Sequence, residues 1–208
     1  MNVLITCGAT RNPVDAMRFV SSRSSGTTGI TLARALVAHG HRVHVLGSPE
    51  AALRAPELDV EIYDSTRNLF TRMERYVRSA PAATVVHAAA VGDYEVASPS
   101  ASKTASGSPE WTLTLTPTPK IADHLRGWGL TGPYVTFKAA APETTDDALV
   151  EIASKQRART GSDLVFANVL GRIGERVCLV SASGPTWFAH RDDAVAALIA
   201  ALLSPTAE

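Results

Sequence analysis

Apolar residues follow two alternating patterns along the chain. Short apolar runs predict strands, and stretches with apolar residues at helical spacing predict amphipathic helices. This alternation of strand and helix favours an α/β fold with a mostly parallel sheet and helices on both faces. The predicted strands are residues 3–7, 42–46, 60–63, 84–88, 111–116, 134–138 and 163–168. The predicted helices are residues 30–39, 66–79, 121–125, 146–159 and 191–203.

Two further segments complete the predicted architecture. Residues 176–180 and 186–189 are typical of a small C-terminal hairpin around Ser183 and Gly184. Residues 96–109 carry a single charge and are rich in Ser, Ala and Pro, which indicates a flexible flap. The chain has 208 residues and no clear linker or repeat, so we expect one domain over residues 1–208.

Composition excludes several classes of partner. Lys and Arg together number 20, as do Asp and Glu, so no net charge points to nucleic acid or an anionic membrane, and we expect neither. Cys7 and Cys178 lie far apart, and the histidines form no paired ligand motif, so we predict no metal site built by the protein. The first residues do not resemble a signal peptide, and no continuous apolar segment is long enough to span a membrane. We therefore predict a cytoplasmic location.

A polar segment after the first strand is the strongest candidate for a binding site. Residues 18–29 (RFVSSRSSGTTG) combine hydroxyls, glycines and two arginines directly before the first predicted helix. A helix N-terminus offers unpaired N–H groups and the positive end of the helix dipole. Arg18 and Arg23 can add bidentate contacts to a phosphate. We interpret the segment as an anion site; a polar connection with solvated arginines is the alternative.

A second candidate segment, residues 88–94, follows a buried strand. Asp93 in this segment could accept hydrogen bonds from a base or a ribose, or it could be an ordinary turn aspartate. Parallel sheets bind ligands beyond the carboxyl ends of their strands. We therefore expect residues 88–94 and residues 8–29 to be neighbours.

Three cations could act on a polyphosphate. Lys103 is the one charged residue of the predicted flap and could close over bound phosphates, although a solvated lysine fits as well. Lys155 and Arg159 lie four residues apart on one helix face and could straddle a triphosphate. Exposed helices carry such pairs routinely, so an ordinary helix surface is the alternative.

Tyr134 and Lys138 match the Tyr-x-x-x-Lys pair of short-chain dehydrogenases. That pair works on a helix, whereas residues 134–138 are β-branched and apolar and predict a strand. Residues 8–13 also do not continue as a glycine-rich dinucleotide fingerprint. We therefore interpret the match as a coincidence, and an NADP-dependent oxidoreductase is the least supported function.

Six segments form an ordered set over nearly the whole chain. They are residues 8–15 (GATRNPVD), 18–29 (RFVSSRSSGTTG), 88–94 (AAAVGDY), 118–121 (TPKI), 137–139 (FKA) and 155–168 (KQRARTGSDLVFAN). Lys103 follows Asp93 by ten residues, where a flap lysine is expected. Together these segments resemble phosphopantothenoylcysteine synthetase, the family of phosphopantothenate–cysteine ligases of coenzyme A biosynthesis.

The resemblance implies a modified Rossmann-like domain that forms a homodimer with its site near the interface. It also implies a reaction between small molecules. CTP, or ATP in some relatives, acts with Mg²⁺ to convert a carboxylate into an acyl-nucleotide, and the amine of cysteine then forms an amide. A separate decarboxylase is a further partner that the resemblance leaves open.

The resemblance also implies roles for individual residues. The catalytic residues would be Arg18, Ser22 and Lys103, with Lys103 covering the triphosphate. The substrate- and phosphate-binding residues would be Arg11, Arg23, Ser24, Ser25, Gly26, Gly29, Ala89 and Ala90. The nucleotide-binding residues would be Gly8, Asp93, Pro119, Lys120, Ile121, Phe137, Lys155 and Arg159.

Four departures from the family pattern affect mainly the second step. Ser22 replaces the Asn that acts on the acyl-nucleotide, and a hydroxyl lacks the separate donor and acceptor of an amide. The flap has one lysine instead of three, residues 140–142 intervene before Glu143, and Val169 replaces an Asp. A divergent member that acts on a different acid or amine, and a non-catalytic nucleotide-binding protein, are therefore the alternative functions.

Overall fold

The structure is a computed structural model that describes residues 1–204. It is built around a large sheet with helices on both faces. The strands are β1 (Asn2–Cys7), β2 (Arg11–Pro13), β3 (Phe19–Ser21), β4 (Arg42–Gly47), β5 (Val60–Ile62), β6 (Thr84–His87), β7 (Tyr94–Val96), β8 (Leu115–Pro117), β9 (Tyr134–Ala140), β10 (Leu164–Val169), β11 (Glu175–Ser181) and β12 (Gly184–His190). The helices are α1 (Thr27–Ala38), α2 (Pro49–Arg54), α3 (Thr66–Ser79), α4 (Asp146–Thr160) and α5 (Arg191–Leu203).

The central sheet has eight strands in the order β12-β11-β10-β9-β6-β1-β4-β5. The six strands from β10 to β5 are parallel, and β11 and β12 extend the edge as an antiparallel hairpin. This arrangement confirms the predicted α/β class, the mostly parallel sheet and the C-terminal hairpin. The chain moves outward from β1 to β4 and β5 and then returns to β6 on the other side of β1, which creates a switch point between β1 and β6.

Side chains alternate between the two faces of the sheet and bury different helices. On β1, Val3 and Ile5 belong to the apolar cluster under α1 and α5, whereas Leu4 belongs to the cluster under α3. A third cluster joins α4 to β10 and β11 through Leu149 and Val165. Both faces of the parallel strands are therefore covered, which explains their continuous apolar runs. In the described part of the chain, no helix is long and apolar enough to cross a membrane.

The structure differs from the sequence-based predictions at several short elements. The predicted helix 121–125 is a single 3-10 turn, Ile121–Asp123, followed by turns through residues 127 and 129, which are glycines that disfavour helix. The predicted strand 111–116 is paired only over Leu115–Pro117. Residues 8–29 contain the ribbon β2–β3 where we predicted a loop, and α2 was not predicted.

Candidate functional site

Two adjoining clefts lie beyond the carboxyl ends of the parallel strands, next to the switch point. The first, here the Ser24 cleft, has a volume of about 430 Å³. The second, here the Asp93 cleft, has a volume of about 240 Å³. Phe137 lines both clefts and stacks on Phe166, with 4.8 Å between ring centroids. The Ser24 cleft is lined by Arg23, Ser24, Ser25, Gly26, Thr27, Thr28, Gly29, Thr31, Ala88, Phe137, Ile173, Arg191, Asp192 and Val195. The Asp93 cleft is lined by His87, Ala89, Ala90, Val91, Asp93, Lys120, Ile121, Ala122, Asp123, Thr136, Phe137, Lys138, Ala139, Gln156 and Arg159.

The start of α1 forms one wall of the Ser24 cleft. Gly26 is its N-cap residue, has φ of 77°, and leaves the helix without a side-chain cap. The Thr27 N–H contacts Ser25 Oγ at 3.5 Å, and the next N–H groups of α1 have no intrahelical partner and could donate to an anion. Gly29 lets α1 approach the sheet closely, because a Cβ there would lie 2.4 Å from Cys7 Cβ. The start of α1 therefore borders the Ser24 cleft, and an anion site at residues 24–29 stays a prediction.

The two predicted segments meet directly, which confirms that they are neighbours. The Thr10 N–H donates to the Ala90 carbonyl at 3.2 Å, and the Ala90 N–H donates to the Gly8 carbonyl at 2.8 Å. The Gly92 N–H donates to Thr10 Oγ1 at 2.8 Å. These bonds fix the wall between the two clefts.

His87 supports the same wall from inside the sheet. Burial lowers the pKa of His87 to about 4, so the ring is neutral at physiological pH. His87 Nδ1 lies 2.7 Å from Thr6 Oγ1, and this hydroxyl also accepts the Ala89 N–H at 3.2 Å. The Thr6 hydroxyl therefore orients both the imidazole and the backbone that borders the Asp93 cleft.

Two of the three lysine and arginine side chains that line the Asp93 cleft are paired with carboxylates. Lys120 Nζ lies 2.6 Å from Asp93 Oδ1, and Arg159 pairs with Asp123. Gln156 donates to the Phe137 carbonyl at 3.1 Å and so joins α4 to β9 at the cleft floor. These donors are suited to a polyphosphate. Its phosphate groups would replace Asp93 and Asp123 as the partners of the cations.

Arg18 is directed at the predicted flap and not at either cleft. Its guanidinium contacts Asp15 Oδ2 at 3.1 Å and the Thr104 carbonyl at 3.3 Å, and its Cζ lies 4.7 Å from the centroid of the Trp111 ring. Asp15 accepts N–H groups from Met17, Thr104 and Arg18, which lower its pKa to about 2. Asp15 and Arg18 therefore hold residues 96–109 against the loop that follows β2.

The clefts bring together some of the predicted site residues and not others. Those in the Ser24 cleft are Arg23, Ser24, Ser25, Gly26, Gly29 and Phe137, and those in the Asp93 cleft are Ala89, Ala90, Asp93, Lys120, Ile121, Phe137 and Arg159. The predicted site residues that line neither cleft are Gly8, Arg11, Arg18, Ser22, Lys103, Pro119 and Lys155. Arg11 pairs with Glu50, Lys155 pairs with Glu151, and Lys103 is exposed in the flap segment.

Several lining residues were missed by sequence reasoning. Arg191 comes first in the last helix, and only the packing of α5 beside α1 carries it into the Ser24 cleft. Thr28 could have been found as part of the 24–29 segment, and Gln156 as the neighbour of Lys155. Across residues 1–204, no group of three or more His, Cys, Asp or Glu side chains is arranged to hold a metal ion.

The fold and the crevice at its switch point define a Rossmann-like α/β ligand-binding domain. A family model described as "DNA/pantothenate metabolism flavoprotein C-terminal domain" matches residues 1–198. The chain belongs to this family, and the predicted relationship to phosphopantothenoylcysteine synthetase is confirmed at the family level.

Three similar proteins illustrate the relationship. The coenzyme A biosynthesis bifunctional protein CoaBC of Thermococcus kodakarensis is 33% identical over 172 residues, which are 83% of this chain and 42% of that protein. The DNA/pantothenate metabolism flavoprotein of Streptococcus pneumoniae has the same fold, with a TM-score of 0.85, 23% identity, and coverage of 97% of this chain and 98% of that one. A Cab2 mutant in complex with phosphopantothenate-cysteine has a TM-score of 0.75 and 20% identity, covering 96% of this chain and 86% of that one. The chain spans less than half the length of the curated relatives it matches.

Proposed function

We propose that this chain is a nucleotide-dependent carboxylate–amine ligase that joins 4′-phosphopantothenate and cysteine through an acyl-nucleotide. The observation that carries the proposal is the pair of adjoining clefts that share Phe137, one with an uncapped helix N-terminus and one with paired cations. Two clefts side by side suit a reaction that must hold two reactants together. Membership of the family, together with the similarity to coenzyme A biosynthesis proteins, supports this reaction type.

The Ser24 cleft binds the phosphorylated acid in this proposal. Ser24, Ser25, Gly26 and Gly29 hold its phosphate, and Ala89 and Ala90 border the path from this cleft to the other. The Asp93 cleft binds the nucleotide, with Asp93 on the base or ribose and Arg159 on the phosphates. The carboxylate then faces the nucleotide across Phe137.

The reaction has two half-reactions. The substrate carboxylate attacks the α-phosphate of CTP and releases pyrophosphate, and the amine of cysteine then attacks the acyl carbon and releases CMP. Lys103, on the flap, neutralises charge on the triphosphate when the flap closes. Mg²⁺, when bound with the nucleotide, would supply further charge neutralisation and would be held mainly by the phosphates, because it usually retains several waters and needs few protein ligands.

We propose a homodimer through the exposed apolar side chains of the two ribbons. Phe19, Val20, Tyr94 and Leu115 lie on β2–β3 and β7–β8 and are exposed in the single chain. These ribbons lie beside the wall between the clefts, so their pairing would put the site near the interface. We further propose that residues 1–208 act as one domain with residues 96–109 as a flap, and that the product is the substrate of a decarboxylase.

The test is pyrophosphate release with CTP, 4′-phosphopantothenate and cysteine, with each component omitted in turn. We expect release that requires both the acid and the nucleotide, and ATP in place of CTP defines the nucleotide preference. No release with either nucleotide over a range of acids would refute the ligase.

A stalled enzyme is the second candidate, favoured by Ser22. In that case, mass spectrometry detects acyl-CMP that accumulates while no amide forms. Ser22→Asn should then restore amide formation. If Ser22→Asn changes nothing and CTP binds without turnover, a non-catalytic nucleotide-binding role is the better description.

A further inference from the structure

Arg191 is a charged residue of the Ser24 cleft that lies outside every motif of the sequence. It begins α5, and its guanidinium is half-buried between α1 and β10. Its Nη2 donates to Thr28 Oγ1 at 3.1 Å and its Nη1 to Asn168 Oδ1 at 3.4 Å. Its Cζ lies 4.9 Å from the centroid of the Phe166 ring. All three partners are uncharged, so they orient the guanidinium without neutralising it.

No carboxylate forms an ion pair with Arg191 within residues 1–204. Partial burial lowers the pKa of Arg191, and the charge of the adjacent, exposed Asp192 opposes that shift. A charged guanidinium that has lost part of its hydration and lacks a counter-ion raises the free energy of the folded protein. A bound anion would offset that cost, and the planar guanidinium matches a phosphate bidentately.

Arg191 and the start of α1 line the same cleft. Gly26 is the N-cap residue of α1 and provides no side-chain cap, and Ser24 and Ser25 add hydroxyls to the cleft. The hydrogen bond from Arg191 to Thr28 holds the guanidinium beside the first turn of α1. A phosphate in this cleft could therefore accept hydrogen bonds from the loop and from Arg191 together.

We propose that Arg191 binds the phosphate monoester of the acid substrate and selects the phosphorylated acid over its unphosphorylated form. The identity of the acid rests on the proposed function, whereas the role of Arg191 as a phosphate ligand rests on the cleft itself. Thr28, Asn168 and Phe166 are positioning residues that hold the guanidinium in place.

The experiment compares two ligands on matched variants. Binding of 4′-phosphopantothenate and of pantothenate is measured by calorimetry for wild type, Arg191→Gln and Arg191→Lys. Arg34→Gln is the control, because it removes an equal charge from α1 at an exposed ion pair with Glu57. We expect Arg191→Gln to weaken binding of the phosphorylated ligand roughly 10- to 100-fold and to leave pantothenate unchanged, since hydrogen bonds between charged groups are among the strongest.

The remaining outcomes each decide the proposal. Arg191→Lys should fall between wild type and Arg191→Gln, and in an active enzyme Arg191→Gln should raise the KM for the acid without changing the KM for CTP. An equal loss for both ligands would mean a merely structural role, and no loss would mean no contact; either result overturns the proposal. Urea unfolding of each variant verifies that it is folded.

A failure of the proposed function can be told apart from a failure of this inference. If wild type binds no 4′-phosphopantothenate, the proposed substrate is wrong, and inorganic phosphate becomes the probe. A rise in melting temperature with phosphate in wild type that is lost in Arg191→Gln supports Arg191 as a phosphate ligand. Equal rises, or no rise in either protein, overturn it.

Discussion

Gly29→Ala tests how closely α1 must approach the sheet to form the Ser24 cleft. Gly29 is the third residue of α1 and its φ is not positive, so its backbone accepts alanine. A Cβ at this position would lie 2.4 Å from Cys7 Cβ, whereas Cβ contacts below 3.0 Å are essentially never seen. Either α1 or β1 must therefore move by at least 0.6 Å, the difference between those two distances.

The expected size of the effect follows from two opposing contributions. Overpacking of a core costs about 1–3 kcal/mol, and the upper end applies because the colliding atom belongs to Cys7, which is fully buried. Alanine is a better helix former than glycine by about 1 kcal/mol. The net loss in the free energy of unfolding is therefore about 2 kcal/mol, which corresponds to a melting temperature lower by about 4–8 °C.

The assay is urea unfolding of Gly29→Ala in two backgrounds, wild type and Cys7→Gly. Cys7→Gly removes the colliding Cβ, so in that background Gly29→Ala should keep only the helix-propensity gain of about 1 kcal/mol, and the two substitutions should be coupled by about 3 kcal/mol. Gly174→Ala is the control, because a Cβ there meets nothing within 4 Å. Equal costs of Gly29→Ala in the two backgrounds would contradict this prediction, since the close contact to Cys7 would then not be the cause.

Three further predictions concern the loop, the wall and the shared residue of the clefts. The pKa of Asp15 is lowered from 3.8 to about 2, chiefly by the Met17 N–H, so the ionised carboxylate stabilises the fold above pH 4 and this stabilisation is lost as the pH falls toward 2. Asp15→Asn should therefore flatten the pH dependence of the urea midpoint between pH 4 and 2, and an unchanged slope would contradict this. Thr6→Val should cost about 1–3 kcal/mol and raise the KM for the nucleotide because the Ala89 N–H loses its acceptor, whereas Thr6→Ser should retain both properties. Phe137→Ala should raise the KM for acid and nucleotide together in steady-state kinetics, since Phe137 lines both clefts, and a change in only one KM would argue against a shared wall.

The long elements of the fold were predictable because local and tertiary signals agree. Helix α3 has the predicted bounds 66–79, since Ser65 caps it and its apolar residues lie on one face. Helix α2 was missed although Ser48 and Pro49 form a standard start signal. The ribbon β2–β3 has no such signal, because three-residue strands carry no period that can be recognised.

The candidate site was predictable only where one continuous segment forms it. Residues 24–29 predict an anion site by themselves, because hydroxyls, glycines and a helix start occur together. Arg191 follows that segment by more than 160 residues, and its position depends on the packing of α5 beside α1. Arg18 was assigned to phosphate, whereas in the structure its guanidinium contacts Asp15 and the flap. An arginine in a polar loop indicates that its guanidinium binds an anion or an acceptor group, but only the fold decides which group that is.

The two clefts differ in how their charges are balanced before a ligand binds. In the Asp93 cleft, Lys120 pairs with Asp93 and Arg159 pairs with Asp123, so phosphates that bind to these two cations would have to replace carboxylates. These pairs are largely exposed, and exposed pairs are worth about 0–1 kcal/mol, so the exchange costs little. In the Ser24 cleft, Arg191 has only neutral partners, so a phosphate there breaks no ion pair. In the proposed function, the acid therefore meets a guanidinium that is already oriented and unpaired, whereas the nucleotide must replace existing ion pairs in its own cleft.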